Sequence, residues 1–581
     1  MPSNATSSSS RDPSLCPQSL KTLALILATS LGLAACGESE SPTLESVQKA
    51  TLLPATGQVS NDVPKPANVR VYAASRFLDQ SSFGPNSAAI ADVQSLGYAQ
   101  WIDRQLALPP TQIDGSPLLA WPDLNRLTKE QNDLNWNFNN LELSRAFLSA
   151  PDQLRLRTSW AISNFIVVSQ NKVNPYGMTE YFNMLQRQAL GNFGDLIYEV
   201  IRNPAMGNFL DNTQNRKQGA CKDCFLNENF GRELMQLFTV GVFMLNKDGT
   251  NKKDSTGKPI ETYSQADVQD MTRALTGWSF DDAHLNDKRG PNVNLPNTNA
   301  FERRMIANWS GSHDEGAKTV LGVKIPAGQT AEQDARSVVN ILLNHPNTGP
   351  FVVYRLIQSL VTSDPTPAFV ARITAVFEND GKGVRGNLGA VVKAILLDPE
   401  ARRADDPSYR ELQVGRIKEP LLQGISVMRA LECKSPITMP WSKYQVYGTN
   451  NQRALNAPSV FSFFSPMHRA PGSNTLAPEQ KLLDSKEFRE RLGGLSSVYG
   501  SDGKAFSTAG CDFASFVTAL EKSPQAFMDL MSQRLFRGSL TPPLRQATQV
   551  LLNETGNEST GQRAALVMTF MLTTPAFGVI K

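Results

Sequence analysis

The sequence predicts a mainly α protein, a large multi-helix body with at most a small β-hairpin. Apolar residues recur at helical spacing along most of the chain after residue 69, while strand-like alternation is confined to one short stretch. The composition is that of an ordinary globular chain, 40% hydrophobic and 19% charged over 581 residues, which excludes collagen-like, coiled-coil and wholly disordered chains. Lys+Arg 57 against Asp+Glu 54 leaves a net +3, too even a balance to point to nucleic acid as a partner.

Residues 1–20 are polar, and Lys21 precedes a short apolar run from Thr22 to Ala34. A cation, a brief apolar core and then small residues make a signal peptide, since the run is too short to span a bilayer. The sequence Leu33-Ala34-Ala35-Cys36-Gly37 resembles a bacterial lipobox, in which the cysteine is diacylated and becomes the first residue of the mature chain. The expectation is a signal peptide over 1–35 and a lipid anchor on Cys36. With Gly rather than Asp at position 37, the anchor resembles the kind delivered to the outer membrane, periplasmic or surface-facing. Three acyl chains exceed the two signals that stable anchoring needs. Residues 36–68, rich in Ser, Glu, Thr, Pro and Val and without period, read as a flexible tether.

A helical domain is expected over 69–581, with lobes 69–280 and 313–581 joined by a polar loop, 281–312. Within Asp152–Ser169, Leu154, Leu156, Trp160, Ile162, Phe165 and Ile166 sit at mixed helical spacings. Phe230, Leu234, Leu237, Phe238 and Gly241 fall on one helical face. Ser264 with Asp267 three residues on is close to a capping box, and Gly277 ends that segment. Further helices are expected near 332–344, 350–363, 366–379, 387–398, 407–431, 478–495, 513–534 and 541–575, with Pro and Gly between them. Thr319–Ile325, alternating around Gly322, supplies the hairpin. The apolar stretch Ala564 to Ile580 is interrupted by Pro575 and threonines, and reads as a buried terminal helix rather than a membrane span.

Several segments stand out: Arg76-Phe-Leu-Asp-Gln-Ser-Ser-Phe-Gly84, Asn203-Pro-Ala-Met-Gly-Asn-Phe-Leu-Asp211, and Asn227-Glu-Asn-Phe-Gly-Arg-Glu-Leu-Met-Gln-Leu-Phe-Thr-Val-Gly241. Tyr263-Ser-Gln-Ala-Asp-Val268, Arg273-Ala-Leu-Thr-Gly-Trp278 and His313-Asp314 with Lys318 and Gly322 follow. In order and spacing they resemble the bacterial family known as domain of unknown function 1800. The resemblance implies an exported protein with no established activity. It also implies a partner, because genes of this family often lie beside those of a second exported family of phosphatase- or sulfatase-like shape.

Glu228 and Arg232 stand i, i+4, the spacing of a surface ion pair. Asn229, Glu233 and Gln236 form a polar stripe at the edge of the apolar face, so Glu233 is the carboxylate most open to desolvation and a raised pKa. It is either an acid/base group or a tie between two helices. The chain has four histidines, His284, His313, His345 and His468. His313-Asp314-Glu315 joins imidazole to carboxylates, a grouping suited to a metal or a proton relay. No second His stands at ligand spacing and there is no His-Glu-x-x-His, which argues against the usual zinc patterns and leaves metal and cofactor unassigned. Candidate catalytic residues are therefore Glu233, His313 and Asp314, and candidate binding residues are Asn229, Arg232, Gln236, Lys318 and Trp278. His345 before Pro346 reads as a helix end.

Other chemistry is weakly signalled. No Gly-x-Ser-x-Gly elbow occurs, which excludes an α/β-hydrolase. Gly381-Lys-Gly-Val-Arg-Gly386 lacks both Walker and Rossmann context, so it is a poor phosphate loop. Phe461, Phe463 and Phe464 before Pro466 read as a buried loop anchor, or else as the lining of a groove for sugar or lipid. Once Cys36 is lipidated and Cys16 is lost with the signal peptide, Cys221, Cys224, Cys433 and Cys511 remain. In an oxidising envelope they suggest two disulfides in one of three connectivities, although a redox pair or a four-cysteine zinc site uses the same residues. Two functional readings follow. One is an accessory or scaffold lipoprotein for an exported partner or envelope polymer. The other is an envelope hydrolase built on a Glu233/His313 pocket.

Overall fold

The computed structural model describes residues 69–580 apart from 122, 223–224, 287–294, 407, 410–414, 440–441, 450 and 487–507. The expected signal peptide, Cys36 anchor and tether lie outside the described residues. The mainly α class holds, and helix starts follow local chemistry. After α1 (Val71–Ser81) and α2 (Ser87–Ala107), α3 (Lys129–Ser149) opens at a capping box of Thr128 and Gln131. Following α4 (Gln153–Ser163), the side chains of Asn174, Asn192 and Asn203 accept backbone N–H groups at the starts of α5 (Pro175–Gln188), α6 (Phe193–Ile201) and α7 (Pro204–Phe209).

The segment expected as one helix from Asn227 to Gly241 is α8 (Asn229–Glu233) running into a π turn, Leu234–Thr239. Phe230, Leu234 and Phe238 are fully buried as the spacing predicts, and Thr239 donates its hydroxyl to the Leu234 carbonyl, 2.6 Å, across the widened turn. The Ser264–Asp267 capping box is present at the start of α9 (Gln265–Ala274).

The expected hairpin is β1 (Lys318–Val320) with β2 (Val323–Ile325), antiparallel, Val320 opposite Val323. Its two-residue loop places Leu321 at φ 49 and Gly322 at φ 78, both left-handed as a type I′ turn demands. Four helices follow, α10 (Ala331–Asn344), α11 (Thr348–Leu360), α12 (Pro367–Glu378) and α13 (Leu388–Leu397). His345 caps the end of α10, as read.

Three later segments depart from expectation. Among the described residues of 407–431, the helix is α14 (Pro420–Ala430), because the residue before a proline is driven to extended backbone, and β3 (Arg416–Ile417) precedes it. Of 478–495, Pro478–Leu482 is a 3-10 turn and 487–495 lies outside the described residues. After the short pair β4 (Thr438–Met439) and β5 (Ser442–Val446), the long stretches 513–534 and 541–575 each divide. Ser523 caps a new start at Pro524, giving α15 (Ala514–Lys522) and α16 (Pro524–Leu535). Ser559 with Gln562 forms a capping box, giving α17 (Pro542–Glu554) and α18 (Thr560–Leu572). The described residues end in β6 (Val579–Ile580), which pairs with β3. Among the described residues no helix is long and apolar enough to cross a membrane.

Buried apolar side chains from Val69 to Phe577 form one continuous cluster. α1 lies deep inside, and its charged residues are paired there. Arg76 meets Asp405 at 2.8 Å, and Asp79 meets Lys418 at 2.9 Å and Arg537 at 2.7 Å. For the site, α8 packs on α9, and α9 on β1 and α10.

Candidate functional site

Three of the predicted residues, His313, Asp314 and Lys318, meet where α9, β1 and α10 converge. His313 Nδ1 lies 3.0 Å from the Thr276 carbonyl, which can only accept, so Nδ1 carries a proton. Its Nε2 is 3.2 Å from Asp334 Oδ2, and Lys318 Nζ reaches the same oxygen at 2.7 Å. Lys318 also donates to the carbonyls of Asp314 (2.5 Å) and Gly316 (2.8 Å). Asp314 takes a two-pronged contact from Arg273, Nε at 2.9 Å and Nη2 at 3.0 Å. Burial works to raise the Asp314 pKa, but the Arg273 hydrogen bonds and the Gly316 amide overcome it and hold the carboxyl below the ordinary range.

The cluster is closed to solvent. The side chains of His313, Lys318 and Asp334 are 1%, 0% and 0% exposed. The backbone around it is equally committed. Asp270 accepts the Thr319 amide at 2.6 Å and Asp267 the Leu321 amide at 2.7 Å, so α9 carboxylates hold the hairpin. Gly277, at φ 88, lies so near His313 that a Cβ there would stand 2.9 Å from its backbone nitrogen.

The polar stripe lies apart from this cluster. Glu228 and Arg232 form the expected pair at 2.7 Å, shared with Gln265. Asn229 donates to Asp211 at 3.3 Å, and Asp211 pairs with Lys172 at 2.5 Å. Gln236 accepts the Tyr263 hydroxyl at 3.1 Å. Glu233 is half-buried, and burial raises its pKa against the pull of Arg232. Its Oε2 is buried without a hydrogen-bond partner. No hydrogen bond or ion pair among the described residues joins Glu233 to His313. Trp278 is a core residue, 1% exposed, with its Nε1 unpartnered.

The family described as "Protein of unknown function (DUF1800)" matches residues 76–579. The chain belongs to this family. No curated protein and no solved structure matches it. In this member the family-like segments carry structural roles. Arg76–Gly84 is the buried α1 region, Asn203 caps α7, and Asn215 clasps Asn227 through two amide hydrogen bonds, 2.9 and 3.0 Å.

The remaining candidates fall as follows. Cys433 and Cys511 are disulfide-bonded, S–S 2.02 Å, and Cys221 is also in a disulfide, while Cys224 lies outside the described residues. Among the described residues no group of three or more His, Cys, Asp or Glu could hold a metal. The loop 381–386 has its amides occupied: Asn379 accepts those of Gly381 and Gly383, and Asp380 those of Lys382 and Val384, leaving no cradle for phosphate. Phe461 is 54% exposed, whereas Phe463 packs on the core.

The sequence reading passed over a second charged region. Arg416 contacts Glu479 at 2.9 Å and Glu419 at 3.5 Å, each with a side chain 2% exposed or less. Arg157, wholly buried behind them, donates to the Ser359 carbonyl at 2.5 Å, and burial and then Arg416 pull its pKa down to about 9. Its signal in the sequence was faint. Arg355 is a lone cation in a largely apolar helical run and Arg157 follows Arg155 by two residues, but Glu419 and Glu479 lie more than fifty residues away from either helix.

Proposed function

We propose that this protein is a lipid-anchored accessory or scaffold protein of the bacterial cell envelope, held at the outer membrane through Cys36 and presenting an exported partner. The supporting observation is the closure of the His313 cluster. The groups best suited to proton transfer hold one another and the fold, with His313 1% exposed and Lys318 and Asp334 at 0%. A buried ion network of this kind organises structure, and chemistry in it would require the site to open. Crosslinking in intact cells, followed by purification from solubilised membranes, tests the partner. A stoichiometric exported protein is expected, and a lone monomer overturns the scaffold reading. Cys36→Ser is expected to move the chain from the membrane to the soluble fraction.

Glu233 supports a second reading, an envelope hydrolase, because it is a half-buried carboxylate with a raised pKa and an unpartnered oxygen beside a π turn. Since burial penalises its charged form, Glu233→Gln is expected to leave the melting temperature at pH 7 unchanged or slightly higher. Loss of biological function with a normal melting temperature favours the hydrolase. A protein that functions normally with Gln at 233 removes it.

A further inference from the structure

A cleft of roughly 450 Å³ of empty space, its open mouth included, lies between α4, α11 and the loops that carry Phe464 and Glu479. Its walls are of two kinds. Phe165, Phe464, Pro466 and Pro478 make an apolar side, and Arg355, Arg416, Glu419 and Glu479 a charged one. The loop is built in place: Gln358 donates to the carbonyls of Ser363 and Pro466, both 3.0 Å, and Ser462 donates to Asn164 at 3.1 Å.

The charges do not balance. Among the described residues Arg157, Arg355 and Arg416 stand with Glu419 and Glu479, both of them occupied, and the third carboxylate acting on Arg157, Asp79, is held by Lys418 and Arg537. Glu419 accepts from Trp160 Nε1 at 3.0 Å and from Gln452, and lies 3.5 Å from Arg416. Glu479 accepts from Ser363 at 2.8 Å and pairs with Arg416. Arg355 has no carboxylate among the described residues. Among the described residues it donates to Gln358 Oε1 at 3.0 Å, and it lies over the rings of Phe351 (5.0 Å) and Tyr354 (5.9 Å). Burial, uncompensated by an anion, pulls its pKa down to about 10. A guanidinium set into a cleft without an anion is costly unless an anion arrives from outside.

We propose that this cleft binds a monoanionic carboxylate bearing a compact apolar group, with Arg355 as its counter-ion and Phe464 and Pro466 against the apolar part. One surplus guanidinium matches one negative charge, and its planar fork suits a carboxylate. A phosphate dianion would bring a second charge toward Glu419 and Glu479. The same chemistry comes from a free small acid or from the carboxyl end of a peptide, and the proposal does not depend on the scaffold reading.

Calorimetric titration of the purified full-length protein tests it, with benzoate, N-acetyl-Ala-Phe, the neutral amide of each, and inorganic phosphate as probes. At least one free acid is expected to bind, at least tenfold more tightly than its amide and than phosphate. Tighter binding of the peptide acid identifies a chain end, and tighter binding of benzoate a free acid. Arg355→Gln is expected to abolish binding, and Phe464→Ala, at a partly exposed wall, to weaken it several-fold while the fold persists. No binding by either acid, equal binding of acid and amide or of acid and phosphate, or full binding by a folded Arg355→Gln overturns the proposal. Should Arg355→Gln fail to fold, unchanged affinity in Phe464→Ala overturns it instead.

Discussion

Asp334 answers both Lys318 and His313 through one oxygen, with no solvent to screen any of the three. Asp334→Asn would leave the Lys318 ammonium buried without its counter-charge, and a loss of about 3–5 kcal/mol is expected in denaturant unfolding. Glu228→Gln, which breaks a pair open to water, should cost no more than about 1 kcal/mol in the same measurement. The contrast separates a charge that holds the fold from one that decorates it. His345 gives a second prediction, in pH. Burial, with Lys252 and Arg385 nearby, lowers its pKa from 6.5 to about 4. The unfolded chain therefore takes up this proton first. Stability from the neutral ring is fully present above about pH 6.5 and declines as pH falls toward 4. His345→Gln should flatten that part of the curve of unfolding free energy against pH. The lowered Asp314 acts only further down, losing its contribution as pH falls below the ordinary carboxylate range.

Where α8 crosses α9, Gly231 lets the two backbones approach. A Cβ at 231 would stand 2.7 Å from Thr272 Oγ1 and 3.2 Å from the Thr272 amide nitrogen. Gly231→Ala should destabilise the protein by about 1–3 kcal/mol, as overpacking does. Adding Thr272→Ala should return only part of the loss, since the backbone contact remains, and a double-mutant cycle measures this. Elements were legible where capping chemistry and periodicity agree, as at Ser264–Asp267 and along α10 to α13. They were misjudged where a break within a long apolar run had to be placed. Ser523-Pro524 and Ser559 divide what periodicity alone joins, and Pro420 forces the extended residue that ends the helical reading before α14. The π turn after Glu233 leaves Phe230, Leu234 and Phe238 buried, so the hydrophobic pattern carries no mark of the extra residue.

At the scale of the molecule, contacts distant in sequence close the fold. β6 pairs with β3, Arg537 reaches Asp79, and the Cys433–Cys511 disulfide spans 78 residues. In the chain-entropy view a loop of that length is worth roughly 4 kcal/mol, so Cys433→Ala with Cys511→Ala should lower unfolding stability by up to that amount. Denaturant unfolding of the double variant beside the parent protein checks this.

The sequence by itself determined the helical class, the hairpin around Gly322, the family and the pairing of Glu228 with Arg232, because these depend on spacings of a few residues or on linear motifs. It also brought out His313, Asp314 and Lys318 as chemically notable. Only the tertiary structure decided what they do, since Asp334 arrives from another helix and closes His313 and Lys318 against water. The same holds for Glu233, which stands without His313, and for the cleft around Arg355. Burial and the arrival of a counter-charge are set by segments tens to hundreds of residues apart, and no local pattern encodes them.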